Sequence, residues 1–257
     1  MTGTRLSKRQ QELLELIASD GAQQIEGLAH RFGLTTQSIR RDINVLCELG
    51  LARRLHGGVD LPVLPQNSPV NARSRLQSAA KQRIAEHIAA EIPDGSTVFL
   101  GIGTTVQATA VALREHHHLT AVTNNLDVAL VLGDVPDIEL HVTGGLWRAN
   151  DRDVVGLDSI RYFEKFHATH AVVGAGALDA AAGALDFSHR DAQITTAIIE
   201  NSRVRYLAAD VTKWDRAAAV RAAPFSSFTT FVTDRLPDDS AARAALTSSG
   251  MRIVVCS

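Results

Sequence analysis

Apolar residues in the first fifty positions recur at helical spacing. Leu13, Leu14 and Ile17 form one stripe, and Ile39, Ile43 and Leu46 form another. Between them, QIEGLAHRFGLTTQSIRRDINVL (residues 24–46) reads as two short helices joined by a tight turn. Ala29 is small where two helices must cross closely. Gly33 suits the left-handed C-cap of the first helix, and Leu34 plugs the turn. Thr35 is a good N-cap for the second helix, because its hydroxyl can accept an orphan backbone N–H. Upstream, Ser7 with Gln10 three residues on has the spacing of a capping box. The inward-facing set leaves Thr36, Gln37, Ser38, Arg40 and Arg41 on the outer face. Downstream, residues 50–59 read as a short hairpin, a wing carrying Arg53, Arg54 and His56. A winged helix-turn-helix presents its second helix to the DNA major groove. Gln and Arg can contact adenine and guanine edges, while Thr, Ser and Arg can grip phosphates. The expected partner of these residues is double-stranded operator DNA.

The pattern changes after Asp60. Residues 61–69 hold Pro62, Pro65 and Pro69, and proline withholds a backbone donor and disfavours helix just before it. The chain therefore divides into a DNA-binding domain at 1–60, a stiff linker at 61–78 and a larger domain at 79–257. In the larger domain helical and strand patterns alternate. Ile84, Ile88 and Ile92 mark a helix stopped by Pro93-Asp94-Gly95. Strand candidates are residues 97–100, 119–122, 139–142, 170–173, 206–209, 230–232 and 252–255. Helix candidates are 106–115, 126–132, 191–201 and 239–248. Such alternation predicts an α/β domain with a largely parallel sheet, whose ligands bind beyond the carboxyl ends of the strands.

Composition adds limits rather than direction. The 257 residues are 45% hydrophobic and 21% charged, ordinary for a globular protein. The net charge of -2 gives no hint of nucleic acid, and residues 1–60 hold eight Lys/Arg against seven Asp/Glu. The basic residues cluster at 5–9, 40–41 and 53–54, so the local field decides, and two copies of the domain are expected on DNA. Cys47 and Cys256 have no metal-site spacing and make no disulfide scaffold. No apolar run approaches a membrane span, and Arg5, Lys8 and Arg9 interrupt any signal-peptide core, so a cytoplasmic setting without membrane contact is expected.

Polar residues gather in the loops that follow the strand candidates. Gly103, Thr104 and Thr105 follow Leu100 and open a helix, where glycine lets backbone N–H groups approach an anion. Val106 stands where a dinucleotide fingerprint needs its third glycine. Thr123, Asn124 and Asn125 follow Val122; Gly144 and Gly145 follow Val142, with Arg148 nearby as an anion partner. Gly176 lies in the loop after Val173, and Lys213 lies beyond the strand ending at Ala209. These residues, with Asp191, are the expected effector site. His116-His117-His118 reads as a solvated helix end rather than a metal site, since adjacent helical residues do not face one point. Asp179, Asp186 and Asp191 can form an acid pair, but their spacing fixes no geometry. No Gly-x-Ser-x-Gly pattern and no Cys/His signature points to a nucleophile, and neither cofactor nor catalytic residue is expected.

TTQSIRRDINVL followed by ARRLHGGV resembles the N-terminal domain of the DeoR family of bacterial transcriptional regulators. LGIGTT, VTNN, VTGGLWR, VGAGALD, AIIENS and DVTKWDR are similar, in order, to that family's effector domain. LDFSHRDAQITTAIIENSR is most similar to the glycerol-3-phosphate regulon repressors within it. The resemblance implies a sensor fold similar to ribose-5-phosphate isomerase. It also implies a homo-oligomer, dimer or tetramer, and a phosphorylated sugar or polyol as effector that releases a repressor from its operator. The chain departs from the family where an acidic residue is usual (Gly101), where a basic one is usual (Thr195), and at Trp214-Asp215. The effector then differs from glycerol 3-phosphate, or Arg190 or Arg148 supplies the missing charge. The competing reading is a sugar-phosphate isomerase-like enzyme with an accessory DNA-binding domain.

Overall fold

The computed structural model describes residues 6–20, 22–49, 51–55, 57–60 and 77–256. They form two compact units, Met1–Ala79 and Ala80–Ser257. His56 and most of the expected linker lie outside the described residues; Ser78 already opens a helix.

In the first unit three helices, α1 (Lys8–Asp20), α2 (Ile25–Phe32) and α3 (Thr36–Glu48), enclose a small core. Leu13, Ile17, Leu28, Ile39, Ile43 and Leu46 are buried together there, as the apolar stripes predict. Gly33 terminates α2 in the left-handed region (φ 63°), and Leu34 N–H closes the turn by donating to Ala29 C=O at 2.9 Å. Thr35 caps α3, its Oγ1 accepting from Ser38 N–H at 3.2 Å. The capping box at α1 also forms: Gln10 N–H donates to Ser7 Oγ, and Ser7 N–H to Gln10 Oε1. The wing strands β2 (Arg53–Leu55) and β3 (Gly58–Asp60) pair antiparallel. A strand not foreseen from the sequence, β1 (Gln23–Gln24), pairs with β3 on its other side.

The second unit is built on seven strands, every pair parallel: β4 (Thr97–Leu100), β5 (Leu119–Thr123), β6 (Ile138–Val142), β9 (Ala168–Val173), β12 (Ser202–Ala208), β14 (Thr230–Thr233) and β15 (Arg252–Val255). Their order is β15-β14-β12-β9-β4-β5-β6. The chain lays down β4, β5 and β6 outward in one direction, then returns to place β9 on the other side of β4. The sequence order therefore reverses between β4 and β9. Helices α4 (Ser78–Ala90), α5 (Thr104–Ala112), α6 (Leu126–Leu132), α7 (Leu157–Phe163), α8 (His189–Glu200) and α9 (Ser240–Ser248) accompany the strands.

Alternate residues of one strand enter different cores, so both sheet faces are covered. Phe99 joins Phe163, Ile194, Ile198 and Phe231, whereas its neighbours Val98 and Leu100 join Ile84, Ile88, Val106 and Leu132. Phe99 and Phe163 meet edge to face, with ring centroids 5.1 Å apart. Two smaller sheets elaborate the strand ends. One pairs β7 (Leu146–Arg148) with β8 (Asp153–Val155); the other runs β10 (Ala177–Asp179), β11 (Gly183–Asp186), β13 (Val220–Ala223). Neither was evident in the sequence.

Candidate functional site

Helix α3 separates its residues cleanly. Ile39, Ile43 and Leu46 are buried, while Gln37, Arg40 and Arg41 are exposed and Thr36 and Ser38 half-buried. Asp42 is buried and bound to α1, accepting from Arg9 Nε at 2.7 Å and Gln10 Nε2 at 3.2 Å. This pairing holds Arg9 protonated, its pKa raised chiefly by the hydrogen bond to Asp42. The wing arginines are engaged within the unit. Arg53 pairs with Asp60 across the hairpin at 2.7 Å, and Arg54 donates to Asn44 Oδ1 on α3. The exposed positive charge of α3 is thus carried by Arg40 and Arg41.

In the second unit a small cleft opens where the strand order reverses. Gly101 and Ile102, after β4, face Val173 and Gly174, at the end of β9; Asn124, Asp191 and Thr195 line the remaining walls. Strand ends at such a switch point diverge, which leaves room for a ligand. Gly103 follows as the N-cap of α5 with no side-chain hydrogen bond, so the first N–H groups of that helix lack a capping side chain.

The loops around the cleft are tied to each other. Thr123 Oγ1 donates to Leu100 C=O at 2.7 Å and accepts from Asn125 N–H at 3.0 Å. Asn125 Oδ1 caps α6, accepting from Asp127 and Val128 N–H. Asn124 is fully buried; its Nδ2 donates to Val154 C=O at 2.9 Å, and its Oδ1 has no partner. Thr143 Oγ1 donates to Ser159 Oγ at 3.2 Å, and Ser159 Oγ also lies 2.6 Å from Gly144 C=O. Gly145 (φ 138°) packs so closely that a Cβ would stand 2.6 Å from Val155 C=O, a position only glycine fills.

A chain of buried charges runs beside the cleft. Arg148 donates from Nε to Asp153 Oδ1 at 2.9 Å and from Nη2 to Asp153 Oδ2 at 2.5 Å, and Asp153 is fully buried. The same Nη2 lies 2.6 Å from Asp191 Oδ1 as an ion pair. Burial raises the Asp191 carboxyl, against the pull of Arg148. Asp186, on β11, is also buried and accepts from Gly176 N–H at 3.2 Å. Desolvation and the negative charge of Asp191 push Asp186 up to about 7. Lys213, after β12, acts on both Asp186 and Asp210, and it helps hold Asp210 below the usual carboxylate range against a larger opposing effect of burial.

Residues 76–235 match the DeoR C terminal sensor domain, and residues 9–63 match the DeoR-like helix-turn-helix domain. The chain belongs to the DeoR family. It is 35% identical over 250 residues to the glycerol-3-phosphate regulon repressor of Escherichia coli K12, covering 97% of this chain and 99% of the relative. It is 36% identical over 247 residues to the HTH-type transcriptional repressor CsqR of the same organism, covering 96% and 94%. Against the HTH-type transcriptional regulator IolR of Bacillus subtilis the figures are 28% over 231 residues, 90% and 92%. Among solved structures it is similar to ribose 5-phosphate isomerase from Plasmodium falciparum, at TM-score 0.39 and 12% identity over 53% of this chain and 52% of that one.

Of the expected effector residues of this DeoR-type sensor unit, Asn124 and Asp191 line the cleft. Gly103, Thr104 and Thr105 open α5 directly after the cleft residues Gly101 and Ile102. Thr123 and Asn125 serve as the loop clamp and helix cap already described. Gly176 packs against the Phe187 ring, 3.1 Å from where its Cβ would lie. Arg148, expected to meet an anion, instead neutralises Asp153 and Asp191, and Arg190 is exposed on the first turn of α8. Two of the three expected departures from the family pattern, Gly101 and Thr195, line the same cleft. The charge of Asp191 is felt at Asp186, whereas Asp179 is exposed and holds a turn through Ala181 and Ala182 N–H. Sequence reasoning missed Asp153; an acid in the Asn150-Asp151-Arg152-Asp153 run was visible, but not its pairing. Of the three histidines, His116 Nε2 contacts the carbonyls of Ala89 and Ile92, while His117 and His118 flank Asp137 at 2.7 and 2.9 Å. Among the described residues no cluster is arranged to hold a metal, and no helix is long and apolar enough to cross a membrane.

Proposed function

We propose that this protein is a cytoplasmic transcriptional repressor that binds operator DNA and is released by a phosphorylated sugar or polyol. Thr36, Gln37, Ser38, Arg40 and Arg41 of α3 contact the operator. Arg53 and Arg54 act mainly by fixing the wing, and His56 is proposed as a further DNA contact from the sequence alone. The effector sits in the cleft at the β4/β9 reversal, its phosphate on the N–H groups of Thr104 and Thr105 at the start of α5. The observation that carries this reading is the uncapped, glycine-led start of α5 beside that cleft, in a chain that also carries a helix-turn-helix. The repressors named above, similar over nearly the whole chain, argue for a regulator rather than an isomerase-like enzyme.

The chain works as a homo-oligomer, dimer or tetramer, because a nearly neutral DNA-binding unit gains affinity by pairing on a repeated site. Effector binding favours an arrangement whose paired helices no longer match the operator. Its effect on DNA affinity is its differential affinity for the two states, about 1–3 kcal/mol. The test is a thermal-shift screen with phosphorylated metabolites, each beside its unphosphorylated parent. At ~100 times its dissociation constant a true effector stabilises the fold by about 2.7 kcal/mol. A phosphate-dependent shift supports the reading; parents that stabilise as well as their phosphates contradict it.

A further inference from the structure

Two of the polar residues that line the cleft, Asn124 and Asp191, present acceptors. Asn124 lines the cleft and is fully buried; its Nδ2 donates to Val154 C=O, which leaves Oδ1 as an acceptor without a donor. Asp191, 7% exposed, adds a carboxylate whose Oδ1 is ion-paired with Arg148 Nη2 at 2.6 Å. Arg148, the cation of that pair, is also held by the buried Asp153 through two hydrogen bonds, so one positive charge is shared by two carboxylates. The walls between are aliphatic: Ile102, Ile194 and Ile198. A buried acceptor without a donor, as Asn124 Oδ1 is, is costly to leave unmatched, and a further negative charge beside two carboxylates that share one cation is costlier still.

We propose that the Asn124–Asp191 end of the cleft is a polarity filter: it takes a neutral, hydroxyl-bearing end of the ligand, which donates to Asn124 Oδ1 and Asp191, and it rejects a carboxylate at the same place. This rests on the proposed function in assigning the phosphate to the start of α5, and it goes further by fixing the chemistry of the opposite end. The effector class becomes a phosphorylated polyol or aldose rather than a phosphorylated sugar acid. Carbon-bound hydrogens of the ligand lie against Ile194 and Ile198, while its hydroxyls turn toward the acceptors.

The test is calorimetric titration of the full chain with matched pairs: glycerol 3-phosphate against 3-phosphoglycerate, and glucose 6-phosphate against 6-phosphogluconate. Unphosphorylated glycerol, glycerate, glucose and gluconate are run beside them. In whichever series binds, the acid is expected to bind at least about tenfold more weakly than its hydroxyl partner. Asp191→Asn keeps the shape and removes the charge, so it should shrink that ratio at least about tenfold, with its unfolding temperature measured separately to show that it folds. An acid that binds as tightly as its partner overturns the filter, as does an unchanged ratio in Asp191→Asn. If only the unphosphorylated pairs bind and still separate, the phosphate assignment fails and the filter stands. If no compound of either series binds, both fall.

Discussion

The two units place their polar chemistry in opposite ways. In the DNA-binding unit the buried polar group, Asp42, is structural, and the functional side chains stand in solvent on one face of α3. In the sensor unit several candidate functional groups are buried or half-buried and tied to a residue from another segment: Asn124 to Val154, Arg148 to Asp191, Gly176 to Asp186. A surface of the first kind can lose a side chain without disturbing the fold. A buried network of the second kind cannot, because removing one partner strands the other. Function and stability should therefore separate in the first unit and be coupled in the second.

The largest expected effect tests that coupling. Arg148→Met leaves Asp153 and Asp191 buried without their cation, and a loss of about 3–5 kcal/mol in unfolding free energy is expected by denaturant titration. A change below about 1 kcal/mol would mean that the network does not hold the sensor unit together. Next comes Asp186. Its pKa of about 7 in the fold lies above its unfolded value, so the fold binds its proton more tightly. The stability this contributes is complete below the unfolded pKa, near pH 4, and is lost as the pH rises through about 7. Asp186→Asn keeps an acceptor for Gly176 N–H and removes the titration. Its melting temperature should exceed that of the parent at pH 8 and match it near pH 4, whereas a constant offset at both values would assign Asp186 another role.

On the exposed side, Arg40→Ala should weaken operator binding by about 1–3 kcal/mol while leaving both melting temperature and effector affinity unchanged. Equal operator affinity would remove Arg40 from the interface. The smallest effect is expected at Thr35→Ala, which removes the α3 cap for about 1 kcal/mol of stability in the DNA-binding unit. Chemical denaturation followed in that unit would show it, and no change there would mean that solvent replaces the hydroxyl.

The same contrast explains what could be read in the amino-acid sequence. The helix-turn-helix was legible because its signals are local: Gly33, Thr35 and the spacing of Ile39, Ile43 and Leu46 lie within fourteen residues of one another. The strands of the sensor unit were legible for the same reason, as short β-branched runs between turns. Polar groups that follow strands mark the candidate effector residues, but such groups take two roles. Thr123 and Asn125 are of this kind yet serve as clamp and cap, while Asn124 between them lines the cleft. The partner of Arg148 depends on β7 pairing with β8 and on α8 lying nearby, and no local spacing encodes either. The reversal of strand order between β4 and β9 is equally non-local, so the meeting of Gly101 with Gly174 and Thr195 appears only in the fold.

The central claim is that the cleft and the DNA face are linked. Its most direct test takes a DNA fragment selected from a genomic pool by this protein. Fluorescence anisotropy measures the affinity for that fragment with and without the phosphorylated ligand found by thermal shift, and calorimetry measures the ligand's affinity with and without the fragment. Linkage requires the two factors to be equal, and about 5- to 150-fold is expected, with each partner weakening the other. DNA affinity that stays constant while the ligand saturates the protein would contradict the account.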